Sequence, residues 1–202
     1  MNQLSFIDVE TTGLHPFTNE VVEVAIINET HGDTHALDVW ASKVAPSRLD
    51  KASPEAMKIN GFNAHEWRHA PSIGEIALKV KASLEGRTAV GHNVGFDLDF
   101  LSALCIEAGV STPGTHEHVL GIVGSIDTQS MVREHLFPTG LKSASLDATR
   151  KWMGWSLDGN HRALKDAEDC RKLYHKLKRS TQLERTWWSI LGRTRTKPEV
   201  TK

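Results

Sequence analysis

The stretch that most constrains this chain is residues 4–13, LSFIDVETTG, where an apolar run meets two acidic residues. Apolar residues lead up to Asp8, continue at Val9 and stop at a Thr-Thr-Gly turn, which predicts a strand buried on both faces. Residues two apart along a strand point to the same side, so Asp8 and Glu10 project together. Two ionised carboxylates in such a place repel each other unless one takes a proton or a cation lies between them. Taken alone, such a pair is more often an ordinary strand end with a turn-capping Asp and an exposed Glu.

The hydrophobic patterns of the remaining chain predict an α/β domain. Further strands are predicted at 20–28, 35–43, 88–91 and 122–126, with Gly32-Asp33 as the first hairpin, and helices at 53–60, 72–84, 93–109, 127–135, 143–153 and 163–178. Residues 110–121 are rich in Pro, Gly, Thr and His and predict a loop. Three strands followed by alternating helices and strands indicate a mixed central sheet with helices on both faces.

Length and composition favour one soluble globular domain. The chain has 202 residues, of which 39% are hydrophobic and 24% are charged. No apolar run reaches the ~18 residues of a membrane span. The N-terminus shows no secretory signal pattern, so we expect a cytoplasmic protein with no membrane partner. Cys105 and Cys170 lie in separate helical patterns and are expected to be reduced core thiols.

The net charge of −1 hides an asymmetry along the chain. Residues 171–202 contain ten Lys or Arg and two Glu, so this segment carries +8 and residues 1–170 carry −9. The acidic body argues against simple electrostatic attraction to nucleic acid, unless bound cations offset part of its charge. The basic segment could supply that attraction, although a solvated terminal face explains many such runs.

Two predicted helices each carry an Asp on a face that should be apolar. Asp97 precedes apolar residues at i+3, i+4, i+7 and i+11, whereas Asp99 falls off that face. Asp166 lies within the apolar stripe of the last main helix, while Glu168 and Asp169 are predicted to lie outside it. For either Asp alone, a capping or dipole role at the helix start is a sufficient explanation.

All four acids together are harder to explain as ordinary surface residues. Asp8, Glu10, Asp97 and Asp166 each interrupt an apolar pattern. An uncompensated buried cluster of this kind would cost several kcal/mol per charge. Hard divalent cations such as Mg²⁺ or Mn²⁺ are the usual compensation when all ligands are oxygen atoms.

His161 lies five residues before Asp166, just outside the predicted helix. A loop histidine is usually a surface residue, but beside metal-binding carboxylates it could take a proton from a water held by the metal. His116 and His118 could also coordinate a metal, yet without a third ligand they are better explained as solvated histidines. The sequence has no P-loop and no supported Ser-His-Asp or Cys-His arrangement, so the residues favour metal-assisted hydrolysis.

Three strings in the chain resemble the motifs of the DEDDh 3′–5′ exonucleases, a family with an Asp-Glu-Asp-Asp core, a catalytic His and a fold similar to ribonuclease H. The strings are FIDVETTG at 6–13, GHNVGFD at 91–97 followed by Phe100-Leu101, and HRALKDA at 161–167. They occur in order and at family-like spacing, and the resemblance covers roughly residues 3–178. The spacing of His161 and Asp166 resembles the His subgroup of the family and differs from the Tyr subgroup.

The resemblance implies a role for each residue of the site. It implies that two divalent cations, Mg²⁺ or Mn²⁺, are held by four carboxylates and that a histidine is the general base: Asp8, Glu10, Asp97, Asp166 and His161. Such cations lie ~3.5–4 Å apart, one activating the attacking water and the other stabilising the leaving 3′ oxygen. The implied contacts to the 3′-terminal nucleotides are Thr11, Thr12, Gly13, Leu14, Phe62, Asn93 and Phe96. Relatives often have His where this chain has Asn60, so no role is assigned to that position.

The expected enzyme is a 3′–5′ exonuclease that acts on single-stranded DNA and releases nucleoside 5′-monophosphates. The sequence also allows an exoribonuclease that trims RNA 3′ ends, or a proofreading subunit that associates with a DNA polymerase. A non-catalytic nucleic-acid-binding module is disfavoured by the intact set of five residues. The expected division is an exonuclease domain at 1–178 and a basic tail at 179–202, whose Trp187 and Trp188 are predicted to cap the core. The oligomeric state is not predicted.

Overall fold

A mixed five-stranded sheet forms the centre of the structure, a computed structural model that describes residues 3–30, 33–159 and 161–195. Its strands are β1 (Gln3–Thr11), β2 (Val21–Thr30), β3 (Asp33–Lys43), β4 (Thr88–Gly91) and β5 (Gly124–Asp127). They lie in the order β3-β2-β1-β4-β5. β2 is antiparallel to β1 and β3, whereas β4 is parallel to β1 and β5. The predicted α/β fold with a mixed sheet is confirmed.

Helices cover both faces of the sheet. They are α1 (Pro54–Ile59), α2 (Ala64–Trp67), α3 (Ile73–Leu84), α4 (Val94–Glu107), α5 (His116–Leu120), α6 (Thr128–Leu136), α7 (Leu146–Met153), α8 (Ala163–Lys178) and α9 (Gln182–Arg195). Within the described part of the chain, none of them is long and apolar enough to cross a membrane. Cys105 and Cys170 are buried free thiols, as predicted.

The alternation of side chains along β1 assigns the two faces of the sheet to different helices. Leu4 and Phe6 pack in one cluster with α8, whereas Ile7 and Val9 pack in another cluster with α3 and α4. Residues two apart on a strand share a face, so Asp8 and Glu10 lie on the same side as Phe6, which is the side that α8 covers. This geometry brings acidic residues of β1 and α8 together.

The prediction of a loop over 110–121 is wrong because α5 forms inside it. The side chain of Thr115 accepts a hydrogen bond from the backbone N–H of His118 and caps the helix start. Gly121 adopts a left-handed conformation with φ 73° and ends it. Val119 and Leu120 are buried, so tertiary packing stabilises a helix that is too short to show a hydrophobic period.

Several predicted boundaries also shift. β5 begins at Gly124, two residues later than predicted, and α7 begins at Leu146 because Ser145 is its N-cap and accepts a hydrogen bond from Ala148 N–H. β3 begins at Asp33, two residues earlier than predicted. The hairpin residue Gly32 lies outside the described residues.

α9 lies in the segment that was predicted to be a tail, and it packs on the body of the protein. Trp188 packs against a cluster that contains Trp152 and Leu173. Gly192 approaches Trp152 so closely that a Cβ at this glycine would lie 2.2 Å from the indole ring. Trp187 is 57% exposed. The prediction that both tryptophans cap the core is therefore right for Trp188 and wrong for Trp187.

Candidate active site

Side chains from three separate parts of the chain meet at the C-terminal end of β1. Glu10 of β1, Asp166 of α8 and His161 from the preceding loop each offer one ligand atom, and these atoms lie within 4.8 Å of one another. Asp97 of α4 is 4% exposed, and its Oδ1 accepts a hydrogen bond from Val9 N–H at 3.0 Å. Asp8 lies one residue before Val9 on the same strand. The five residues predicted from the sequence thus come together at one site.

The carboxylates in this site are destabilised as anions. Burial raises the pKa of Asp8 well above its ordinary value, and the charges of Asp97, Asp166 and Glu10 raise it further. Burial, followed by repulsion from Asp166 and from Glu23 opposite it on β2, raises the pKa of Glu10 to about 8. Burial also raises the pKa of Asp97, although the hydrogen bond from Val9 N–H opposes the rise. Glu10 would hold a proton near neutral pH unless a cation took its place, and the pKa values of Asp8 and Asp97 are shifted in the same direction.

The donor set fits hard divalent cations. Four carboxylates supply only oxygen ligands, and His161 supplies the one nitrogen. Oxygen ligands are those that Mg²⁺ and Mn²⁺ prefer, and cations beside these side chains would remove the repulsion that raises their pKa values. Among the residues described, the three-residue group that includes His161 is the one cluster whose ligand atoms lie close enough together for an ion. His116 Nε2 lies 2.9 Å from Asp99 Oδ1, and His118 Nε2 lies 3.1 Å from Thr112 Oγ1.

His161 is held in an unusual backbone conformation. Its φ is 59°, in the left-handed region that residues other than glycine rarely adopt. This conformation costs of order 1 kcal/mol or more, and it persists only where the surrounding structure imposes it. The His161 side chain is 43% exposed, and its Nε2 lies 3.8 Å from Oδ2 of Asp147 on α7. The backbone therefore presents the imidazole to the site while one edge stays open to solvent.

Sequence reasoning missed Arg150, the buried cation of the site. Its side chain is 1% exposed and donates to three carboxylates: Asp166 Oδ1 at 2.7 Å, Asp169 Oδ2 at 2.8 Å and Asp147 Oδ1 at 3.0 Å. Although burial opposes the charged form, the hydrogen bonds to Asp166 and Asp169 raise the pKa of Arg150 above its ordinary value. Burial raises the pKa of Asp166, and Arg150 limits that rise.

The same arrangement corrects the prediction for Asp169. This residue was expected to fall outside the buried stripe of α8, yet it is only 4% exposed. It is buried because Arg150 and Lys165 both pair with its Oδ2, at 2.8 and 2.6 Å. A sequence signal for Arg150 exists: it lies three residues before the buried Met153 and four after Leu146, so it is a charge on the apolar face of α7.

The Thr-Thr-Gly turn after β1 is fixed by hydrogen bonds within the protein. Thr12 donates its N–H to the Glu20 carbonyl oxygen at 2.8 Å, and its own carbonyl oxygen accepts from Ser53 N–H at 2.7 Å. Asn60 is buried, and its Nδ2 donates to the Thr11 carbonyl oxygen at 3.0 Å. Gly13 permits close contact, since a Cβ there would lie 2.5 Å from the Asn19 side chain.

The predicted nucleotide contacts outside this turn lie on three different segments of the chain. Leu14 is 75% exposed immediately after the turn. Phe62 is half-buried against Trp67, with ring centroids 5.1 Å apart, and its N–H donates to Asn60 Oδ1. Phe96 is half-buried against Phe100 at 4.8 Å, one residue before Asp97. Asn93 is exposed in a left-handed conformation with φ 74°, and its N–H donates to Asp127 Oδ1. Their contacts with a nucleotide stay a prediction.

Most of this chain matches the model of a known protein family. The model described as "RNase_T: Exonuclease" matches residues 5–174, a segment that contains the whole candidate site. The chain is 26% identical over 170 residues to a DNA polymerase III PolC-type protein of Caldanaerobacter subterraneus subsp. tengcongensis, which covers 84% of this chain and 11% of that protein. It is 34% identical over 104 residues to a DNA polymerase III subunit epsilon-like protein of Rhodobacter capsulatus, covering 50% of this chain and 14% of that one. The chain thus spans about a tenth of the length of the curated relatives it matches.

Solved structures share the fold. The zinc-bound E. coli ExoI–ssDNA complex superimposes with a TM-score of 0.74 at 19% identity, over 93% of this chain and 42% of that one. E. coli exonuclease I in complex with a dT13 oligonucleotide gives a TM-score of 0.73 at 18% identity, over 93% and 43%. The predicted ribonuclease H-like architecture is confirmed.

Proposed function

The chain belongs to the DEDDh 3′–5′ exonuclease family, and we propose that it removes nucleotides from the 3′ end of single-stranded DNA in a reaction that requires two divalent cations, Mg²⁺ or Mn²⁺. The observation that carries the proposal is the meeting of Glu10, His161 and Asp166 within 4.8 Å, next to the buried Asp97. β1, α4, α8 and the loop before α8 supply this set, so residues far apart in the chain meet in the folded protein.

Each residue of the site has a chemical part in the proposed reaction. Asp8, Glu10, Asp97 and Asp166 would hold the cations, which when bound supply the charge that activates water and stabilises the leaving 3′ oxygen. His161 would take the proton of the attacking water through a ring nitrogen that lies near Glu10 and Asp166. Its exposed edge would let that proton leave to solvent. The products would be nucleoside 5′-monophosphates.

The turn and the aromatic residues would position the substrate. The fixed turn at 11–13 would meet the terminal 3′-hydroxyl, and the exposed Leu14 would contact the last bases. Phe62 and Phe96 would stack on bases, a contact that tolerates any sequence. Asn60 would act indirectly, because it ties the Thr11 carbonyl oxygen to the N–H of Phe62.

Single-stranded DNA is favoured because the similar solved structures include exonuclease I with single-stranded DNA and with oligo-dT. A proofreading role beside a DNA polymerase is the second candidate, favoured by the similarity to PolC-type and epsilon-like proteins. An exoribonuclease is the third candidate, since no described residue distinguishes ribose from deoxyribose. The assay must therefore compare DNA with RNA.

The test uses 5′-labelled single-stranded DNA and RNA of one sequence with Mg²⁺, Mn²⁺ or EDTA. We expect a ladder that shortens from the 3′ end, requires the metal and is absent for Asp166→Ala. The relative rates on the two polymers assign the substrate, and stimulation by an added polymerase would support the proofreading role. If neither polymer is shortened with either metal, the proposed activity is wrong.

A further inference from the structure

A long groove runs between the edge strand β3 and helix α8, and the proposed mechanism does not use it. It has two adjoining parts with volumes of about 480 and 540 Å³, and Glu168 lines both. β3 contributes Lys43 to the first part and Val39 to the second, whereas α8 contributes residues along its whole length. We call this feature the β3–α8 groove.

The β3–α8 groove carries an excess of positive charge. Of the described residues that line it, six are Lys or Arg and three are Asp or Glu. Four of the six cations are paired with acids of the protein: Arg162 with Glu23, Lys165 with Asp169, Lys43 with Glu66 and Arg171 with Glu29. Among the described residues of the lining, Lys172 and Arg179 are the cations without an acidic partner, and they outnumber the one unpaired acid. Glu168 is exposed and is the remaining acid.

Of the four basic side chains at the far end, two are directed inward and two are exposed to solvent. Arg171 and His175 lie against the buried Glu29 at 2.7 and 2.9 Å, so their contacts are directed inward. Lys172 is exposed with its Nζ 4.1 Å from the Trp155 ring centroid, and Arg179 is exposed at the end of α8. These two side chains can meet an anion without breaking an ion pair to Glu29.

The near end of the β3–α8 groove adjoins the candidate active site. Glu23 lines it and lies directly opposite Glu10 in the register of β1 and β2. Arg162, which also lines it, follows His161 in the chain. A strand that leaves the active site on this side would therefore enter the groove.

We propose that the β3–α8 groove binds the sugar-phosphate backbone of the nucleic acid strand whose 3′ end lies in the active site. The inference rests on the proposed function and adds a second region of substrate contact to it. Charge complementarity and continuity with the active site favour a nucleic acid over an acidic peptide as the occupant. From Lys165 to Arg179 the helix rises about 21 Å, enough for about six nucleotides of a stacked strand at ~3.4 Å each.

The experiment compares oligonucleotides that differ in length. Fluorescence anisotropy in EDTA measures binding of labelled dT5 and dT20 by the wild type, by Lys172→Ala/Arg179→Ala and by Lys79→Ala/Arg133→Ala. The last variant is a matched control, because it removes one exposed Lys and one exposed Arg from α3 and α6, and Lys79 lies near Trp40 as Lys172 lies near Trp155.

We expect the groove variant to bind dT20 about tenfold more weakly while its affinity for dT5 stays within about twofold of the wild type. The slope of log affinity against log salt for dT20 should fall in magnitude by about 1.4, since each lost phosphate contact on a single strand contributes about 0.7. The control variant should match the wild type for both lengths.

Two results would overturn the proposal. If the groove variant binds dT20 as tightly as the wild type does, the groove does not bind the strand and is better suited to another anion, such as an acidic peptide. If dT5 and dT20 lose affinity equally, Lys172 and Arg179 contact the terminal nucleotides instead. Degradation of DNA with Mg²⁺ is followed in parallel for the wild type. A wild type that degrades DNA while the groove variant binds normally refutes the groove alone. A wild type that neither binds nor degrades DNA refutes both proposals.

Discussion

The most informative single perturbation is the removal of Arg150, the buried cation beside the candidate metal ligands. The change Arg150→Met keeps a long side chain but removes the charge that faces Asp166, Asp169 and Asp147. Lys165 still pairs with Asp169, and the more exposed Asp147 can be hydrated, so Asp166 loses most. We expect a large loss of stability in the absence of metal.

The magnitude follows from burial. The Arg150 side chain is 1% exposed and that of Asp166 is 12% exposed, so water cannot replace the lost hydrogen bond. Removing one partner of a buried ion pair typically costs about 3–5 kcal/mol. For a chain of this size, one kcal/mol corresponds to about 2–4 °C, so the melting temperature should fall by roughly 6–20 °C.

The assay is urea unfolding and thermal melting in EDTA and again with Mg²⁺. Lys151→Met serves as the control, since Lys151 is the exposed neighbour of Arg150 on the same helix. Arg150→Lys keeps the charge but loses the planar fork that reaches three carboxylates, so its loss should be intermediate. Mg²⁺ should restore part of the stability of Arg150→Met, because a bound cation takes over the compensation of Asp166.

An Arg150→Met variant that unfolds in EDTA within about 1 kcal/mol of the wild type would contradict a stabilising role of the buried ion pairs. That result would mean that Asp166 and Asp169 accept the loss of their partner at no cost, as solvated carboxylates do. A loss of equal size in Lys151→Met would instead point to the helix and not to the ion pairs.

Three further predictions concern the same site. Without metal, the protein should lose stability as pH rises from 4.5 to about 8, because the raised pKa of Glu10 favours the folded state below that range. The free energy of unfolding should fall by up to about 1.4 kcal/mol per pH unit for each group that is protonated in the folded state and ionised in the unfolded state. A thermal melting series should show a smaller loss with Mg²⁺. Asn60→Ala should cost about 1–3 kcal/mol in urea unfolding and raise KM, since it leaves the Thr11 carbonyl oxygen and the Phe62 N–H without their buried partner. His161→Gln should lower kcat about 10²- to 10⁴-fold yet retain Mn²⁺ binding by calorimetry, whereas Glu10→Gln should weaken both.

The sequence alone predicted most of the strands and longer helices and the five candidate residues that the fold brings together. The period of two along β1 and the period of 3.6 along α4 and α8 arise from local backbone geometry, so Asp8, Asp97 and Asp166 stand out as charges on apolar faces. The bounds of α8, Ala163–Lys178, agree with the prediction because its apolar stripe extends over four turns.

The pairing of distant charges depends on tertiary contacts. Arg150 and Asp169 belong to different helices, and the burial of Asp169 depends on the approach of α7 to α8. The same holds for α5, which forms because Val119 and Leu120 pack into a core. It also holds for Trp187 and Trp188, since the packing of α9 leaves the first ring exposed and the second partly buried. Periodicity predicts the face of an element on which a residue lies. Pairing between elements depends on contacts between segments far apart in the chain, and a local sequence pattern does not predict those contacts.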